Sequence, residues 1–301
     1  MMVNRINFSK FFKIANIFSL LAIFISILFL FLKGLNFGVD FKGGTLLEIR
    51  VSDSNVKIQD IRDSLKTVNV GDVSVKEFGK DGDFLVKFEK NSNENDKFIS
   101  ELKNKISGKV GSEVNFRRVE SVGPKVSSEL LKQGVTAIAL SLAAMLFYIW
   151  IRFEWQFSLG SIIALFHDVV ITLGIFSILS LEVNLSIVAA VLTIVGYSMN
   201  DTVVIYDRIR ENLLKYSKIN TNEISNISVN ETLSRTVITS LTTLLALGSI
   251  FILGGEILKG FSFAMILGVI IGTYSSIFVA SPVLNYFKVT QKTLLKEDSV
   301  N

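Results

Sequence analysis

The chain has 301 residues, half of them hydrophobic, with 24 Phe and a mean hydropathy of +0.50, too apolar for a domain solvated by water alone. It contains no Cys and one His, His167, which excludes disulfides, thiolate metal sites and cysteine nucleophiles and leaves no His cluster for a metal. The net charge of +4 does not mark a nucleic-acid surface, because the basic residues gather beside the apolar runs and form no stripe.

The elements follow in chain order. An apolar run over Phe11–Leu32 comes after Arg5, Lys10 and Lys13. It is longer than the roughly 7–15 residues of a signal-peptide core and no small-x-small site precedes Gly34, so it reads as an uncleaved anchor. Five further runs match the roughly 20 helical residues that cross a bilayer: Leu130–Ile151, Phe157–Ser180, Leu185–Tyr206, Thr236–Leu253 and Gly260–Leu284. Arg152, Arg208, Arg210, Lys215, Lys218 and Arg235 fall in one set of short loops or flanks. Lys288, Lys292 and Lys296 fill the tail, whereas the opposite loops carry Glu182 and Glu256 with Lys259. The positive-inside rule then places both termini in the cytoplasm and the segment from Gly34 to Glu129 outside.

That outer segment has the pattern of a folded domain. Thr45, Leu47, Ile49 and Val51 alternate with Leu46, Glu48 and Arg50 as a half-buried strand, and Ile58, Ile61, Leu65 and Val68 follow at helical spacing. Val73 and Val75 open a second strand, Lys80-Asp81-Gly82-Asp83 turns, and Phe84, Val86 and Phe88 alternate on a third. Phe98, Leu102 and Ile106 mark a helix started by Ser92 or Asn93, and Val114 and Phe116 a last strand. The order strand-helix-strand-strand-helix-strand is the split ferredoxin-like unit. The expected fold is therefore an α-helical membrane protein: six transmembrane helices with an α+β ferredoxin-like extracytoplasmic domain between helices one and two. Its parts are an N-terminus and first span over 1–33, the outer domain over 34–129, a five-helix bundle over 130–284 and a cytoplasmic tail over 285–301.

Ionisable groups inside the spans carry the chemistry, because a charge at mid-bilayer costs about 2.5–3.5 kcal/mol even on insertion scales and so faces a partner or a wet cavity. Asp201 stands six residues before Asp207, roughly 9 Å of helix from that end, on a face with Thr193, Tyr197 and Asn200. Arg235 enters the next span near the same side, within reach of a rising guanidinium. A proton relay and a static buried ion pair both fit this pair. His167 and Asp168 lie mid-span, Asp168 on a stripe with Ser161 and Thr172. Interhelical hydrogen bonding and a place in a proton path both fit here too. The last span repeats small residues at Ala264, Gly268, Gly272, Ser276 and Ala280, a face for close helix approach, either within the bundle or against another subunit. Ser228-x-x-Glu231 has the form of a capping box opening the fifth span. No phosphate-cradling Gly-x-x-x-x-Gly-Lys loop is present.

Several motifs are together more specific than any one of them. Gly38-Val39-Asp40-Phe41-Lys42-Gly43-Gly44 after the first span, Val122-Gly123-Pro124, Arg152-Phe153-Glu154-Trp155 and His167-Asp168-Val169 come first. Val195-Gly196-Tyr197-Ser198-Met199-Asn200-Asp201-Thr202, running on to Asp207-Arg208-Ile209-Arg210-Glu211-Asn212, follows, then Asn230–Thr236 and Gly254-Gly255. In this order, over nearly the whole chain, they resemble the SecD/SecF family of bacterial protein-export membrane proteins, in the resistance-nodulation-division superfamily. The resemblance implies a non-enzymatic subunit that pairs with SecD beside the SecYEG channel, with YidC and YajC as further partners and an unfolded secretory polypeptide as cargo. It implies protons as the coupling ion, with no other cofactor, and maps proton conduction onto Asp201 and Arg235, with Asp168 and His167 as further candidates. It also implies a motif role for Asp40, Gly43 and Gly44, and a SecD-facing or packing role for Gly268, Gly272 and Ser276. Three rivals remain: an intramembrane serine protease using Ser198, a proton-coupled exporter of small molecules or lipids, and a structural partner without proton chemistry.

Overall fold

In the computed structural model, residues 6–53, 56–66, 73–77, 81–88, 96–111, 113–216, 219–287, 289–291 and 293–294 are described. Arg5, Val68, Lys80, Ser92, Asn93, Lys218, Lys288, Lys292 and Lys296 lie outside them, as does the side chain of Glu256. The helices are α1 (Phe12–Leu32), α2 (Val39–Lys42), α3 (Ile58–Lys66), α4 (Asp96–Val110), α5 (Pro124–Arg152), α6 (Trp155–Ile178), α7 (Leu185–Lys215), α8 (Thr221–Leu253) and α9 (Glu256–Ser275). A π-turn over Ser276–Ala280 joins α9 to α10 (Ser281–Tyr286). The strands are β1 (Asn36–Phe37), β2 (Gly44–Val51), β3 (Val73–Glu77), β4 (Asp83–Phe88), β5 (Val114–Val122) and β6 (Glu182–Val183).

Among the described residues, six helices are long and apolar enough to cross a membrane, matching the six runs of the sequence. Their lengths differ from the runs because hydropathy marks the lipid-depth part of a helix, not its ends. α5 begins at Pro124, whose fixed φ and missing N–H suit a first helical position. α8 begins at Thr221 under a true cap: Asn220 accepts the Glu223 N–H at 2.8 Å. The capping box expected at Ser228 is thereby corrected, since Ser228 lies inside α8 and its hydroxyl accepts from Asn212 at 2.9 Å. Half of α6, half of α7 and slightly more of the last span are buried, against about a tenth of α1 and α5. α6, α7 and α9 are therefore the centre of the helical unit, while Phe24, Phe31, Trp150, Leu241 and Leu253 project outward as lipid-compatible surface.

The second compact unit comprises Phe37–Val135 with Val183–Leu185. Its four strands lie in the order β3-β4-β2-β5, every neighbouring pair antiparallel, which is consistent with the split ferredoxin-like unit. Leu47, Ile49, Val75, Phe84 and Val86 point to one face, where Ile61 and Leu65 of α3 and Leu102 and Ile106 of α4 close a core that excludes solvent. Complete burial of such side chains contributes about 1.5–3 kcal/mol each. The other face carries Arg50, which donates to Asp83 at 2.6 and 2.5 Å. It also carries Lys87, whose ammonium is pushed down to about 8 by burial and by the like charge of Lys76, against the opposing pull of Asp40.

A lysine whose folded pKa is depressed binds its proton less well than in the unfolded chain. Stability therefore rises with pH across the window from about 8 to the ordinary lysine value near 10.5. We expect Lys87→Met to raise the melting temperature of this unit at pH 7 and to flatten its pH dependence in that window. Thermal denaturation at pH 7, 9 and 10.5 checks it; an unchanged slope would mean that Lys87 does not set it.

Candidate functional site

Two aspartates inside the helical unit differ in how their carboxylates are held. Asp168, on α6, is fully buried. Its Oδ2 accepts from Ser198 Oγ of α7 at 2.5 Å and from Ser275 Oγ of α9 at 2.8 Å. Its Oδ1 lies 2.8 Å from Nδ1 of His167. One carboxylate thus joins three helices. The His167 ring stacks on Tyr274, with centroids 6.0 Å apart. Tyr274 reaches α1, donating to the Ala15 carbonyl at 2.8 Å and sharing a 3.0 Å hydrogen bond with Ser19. His167 Nε2 is buried with no hydrogen-bond partner.

Asp201, on α7, is 2 % exposed, and its Oδ2 has no hydrogen-bond partner. Thr273 of α9 is the hydrogen-bonding side chain beside its carboxylate and Arg235 of α8 the nearby cation; the Thr273 hydroxyl also shares a 2.8 Å hydrogen bond with Ser240. Arg235 is exposed, and among the described residues it makes no ion pair with Asp201. The close pairing anticipated between Arg235 and Asp201 is therefore not made: Arg235 lies on the exposed side of α8 while Asp201 is buried on α7. The polar face expected around Asp201 divides as well. Thr193, Gly196 and Asn200 are exposed on α7, while Tyr197 is half-buried and donates to Thr243 at 3.3 Å.

The small-residue face of the last span packs within this chain. A Cβ at Gly268 would come 2.2 Å from Ile194 Cγ1, and one at Gly272 3.0 Å from Ser198 Cβ; Ser276 is buried. α7 therefore occupies the groove that a second subunit would need at these glycines. The approach also seats Ser198 against Asp168. Gly268→Val is expected to force α7 and α9 apart and destabilise the bundle by about 1–3 kcal/mol, the range for overpacked cores. Unfolding of the detergent-purified protein measures it, and an unaltered midpoint would show that the seam is loose.

Sequence reasoning missed a further cluster at the end of α7 away from Leu185. Arg152 pairs with Asp207 at 2.8 Å, Arg210 approaches Glu154 at 3.1 Å, and Arg208 pairs with Glu231 at 2.7 Å. Asn212 adds a hydrogen bond to Glu231 at 2.8 Å. Three motifs separate in sequence thus meet, although such partly exposed pairs contribute about 0–1 kcal/mol each. Ser198 gives no support to a serine nucleophile, because its hydroxyl bonds Asp168 and not the His167 ring that a general base would require.

These features define a multi-pass membrane protein with one folded insertion and a central carboxylate on each of two adjacent core helices. The family can be stated. The chain belongs to the SecD/SecF family: residues 102–290 match "Protein export membrane protein SecD/SecF, C-terminal", and residues 28–54 match "SecD/SecF GG Motif". It is 44% identical over 287 residues to a protein named "Protein translocase subunit SecF" from Rickettsia rickettsii, covering 94% of this chain and 93% of that one. The identity is also 44% to the protein of the same name from Rickettsia bellii, over 94% of each chain. The crystal structure of SecDF, a translocon-associated membrane protein from Thermus thermophilus, superposes with a TM-score of 0.86 at 36% identity, covering 96% of this chain and 39% of that one. SecDF in a super-membrane-facing form gives 0.71 at 34% identity, covering 100% and 41%. The chain thus spans about two-fifths of the length of those SecDF chains.

Proposed function

We propose that this chain is the SecF-like half of a proton-driven protein-export assembly and that Asp201 is its proton-accepting group. The carrying observation is the contrast between the two carboxylates. Asp168 is held by hydroxyls from two other helices, whereas Asp201 is buried with one oxygen free of donors and no fixed counter-ion. A proton can be gained or lost at Asp201 Oδ2 without breaking a hydrogen bond, because that oxygen accepts none, whereas both oxygens of Asp168 already have polar partners. Arg235 then acts as a distant cation that biases Asp201, and His167 and Asp168 serve the frame more than the relay.

The partner in this reading is a SecD protein, supplying the other half that the SecDF chains contain. The exposed polar residues Thr193 and Asn200 on α7 support a protein neighbour there, since polar side chains are poorly matched to lipid. The SecYEG channel, YidC, YajC and the emerging secretory polypeptide are further partners of the same assembly. The positively charged loops favour cytoplasmic termini and an extracytoplasmic four-stranded domain. Protons are the coupling ion, and the chain acts without covalent chemistry of its own. Export of a secretory protein in cells carrying Asp201→Asn tests the reading, with membrane level and SecD association followed alongside.

A further inference from the structure

The Gly38–Gly44 motif makes contacts that proton transfer does not explain. Asp40 Oδ2 accepts the backbone N–H of Leu185, the first residue of α7, at 2.9 Å. Two residues earlier in each segment, the Gly38 N–H donates to the Val183 carbonyl at 2.8 Å. On its other side the motif meets the first turn of α5: Ser127 Oγ lies 3.4 Å from the Val39 carbonyl and 3.1 Å from the Gly123 carbonyl, and shares its one proton between them. Gly43, at φ +80°, passes so close that a Cβ there would stand 3.3 Å from the Val122 carbonyl oxygen and 3.4 Å from Ser127 Oγ. Gly44, at φ +118°, then feeds directly into β2. Positive φ at both positions, with close backbone approach at Gly43, is what glycine accommodates without strain. The segment therefore touches the first turn of α5 and the first residue of α7, and continues into an inner strand of the sheet, all inside one compact unit.

We propose that the Gly38–Gly44 segment is a bracket holding the first turn of α5 and the N-terminal residue of α7, Leu185, to the four-stranded domain, with Asp40 as the positioning residue that caps α7. The first N–H groups of a helix have no intrahelical acceptor, and Asp40 supplies one from a distant part of the chain. Because α7 runs on without a break from Leu185 to Asp201, a shift of that helix on protonation would be delivered to the bracket. This use of the bracket rests on the export reading given above; the bracket itself does not.

Asp40 also acts electrostatically on Lys87, so a test must separate cap from charge. Asn caps a helix as well as Asp but carries no charge, whereas Ala does neither. In the full chain in nanodiscs, Asp40→Ala should speed hydrogen exchange of the Leu185 amide by about fivefold, the factor that one capping hydrogen bond carries, and Asp40→Asn should not. Leu185→Pro removes the donor at a position that tolerates proline. In an export assay, Asp40→Ala and Leu185→Pro should each slow translocation several-fold, the double variant no further, and Asp40→Asn should match the parent. Unchanged exchange in Asp40→Ala would overturn the bracket, as would an Asp40→Asn as defective as Asp40→Ala. Faster exchange with unaltered export would leave the cap standing and overturn its use in export.

Discussion

Asp201→Asn is expected to abolish the part of export that depends on the proton gradient, while the protein accumulates and assembles at its usual level. Asn has nearly the same volume and keeps a carbonyl oxygen, and Asp201 Oδ2 has no hydrogen bond to lose, so the protein should still fold and reach the membrane. The functional loss should be large. One elementary charge moved across 100 mV is worth about 2.3 kcal/mol, enough to shift a two-state equilibrium roughly fiftyfold. Removing the titrating group removes that bias entirely. The check is export measured with and without collapse of the gradient, alongside membrane level. Undiminished gradient-dependent export would reduce Asp201 to a packing residue, and a loss that follows failed assembly would assign it to the frame.

Asp168→Ala should behave in the opposite way, failing in stability before it fails in function. The substitution strips the acceptor from Ser198 and Ser275 and leaves His167 Nδ1 without its carboxylate, in a region where none of these side chains reaches solvent. Leaving a buried donor without its acceptor costs about 1–3 kcal/mol, and here the Ser198 and Ser275 hydroxyls both lose theirs. Because the donors sit on α7 and α9, the loss should loosen the same seam that Gly268 and Gly272 close. Thermal unfolding in detergent and the steady-state membrane level measure the effect. An Asp168→Ala protein that unfolds normally yet loses gradient-dependent export would move Asp168 from the frame into the relay.

The two aspartates look alike in the sequence: each is a carboxylate within an apolar run, each beside polar residues at helical spacing. What separates them is contributed by Ser198 and Ser275, 30 and 107 residues from Asp168. No local pattern announces such a hydroxyl as a donor to a particular carboxylate. The same applies to Arg235. Spacing along α8 brings it toward Asp201, but its side chain follows solvation outward, which depends on what else packs around that helix. The small-residue face on the last span was legible as a seam; that α7 fills it was not, since glycine spacing specifies closeness and leaves the partner open.

By itself the sequence determined the six spans, the strand-helix order of the inserted domain, the absence of cysteine chemistry and the family. Each depends on period, length, composition or ordered motifs, which local physics and the bilayer impose directly. The tertiary structure decided which buried carboxylate is satisfied and which is free, that Asp40 caps a helix 145 residues away, and that Asn220, not Ser228, opens α8. The capping error arose because hydropathy stops at the lipid boundary while α8 continues beyond it. The other two depend on which polar groups meet when separate helices pack, a property of the assembled bundle and not of any segment within it.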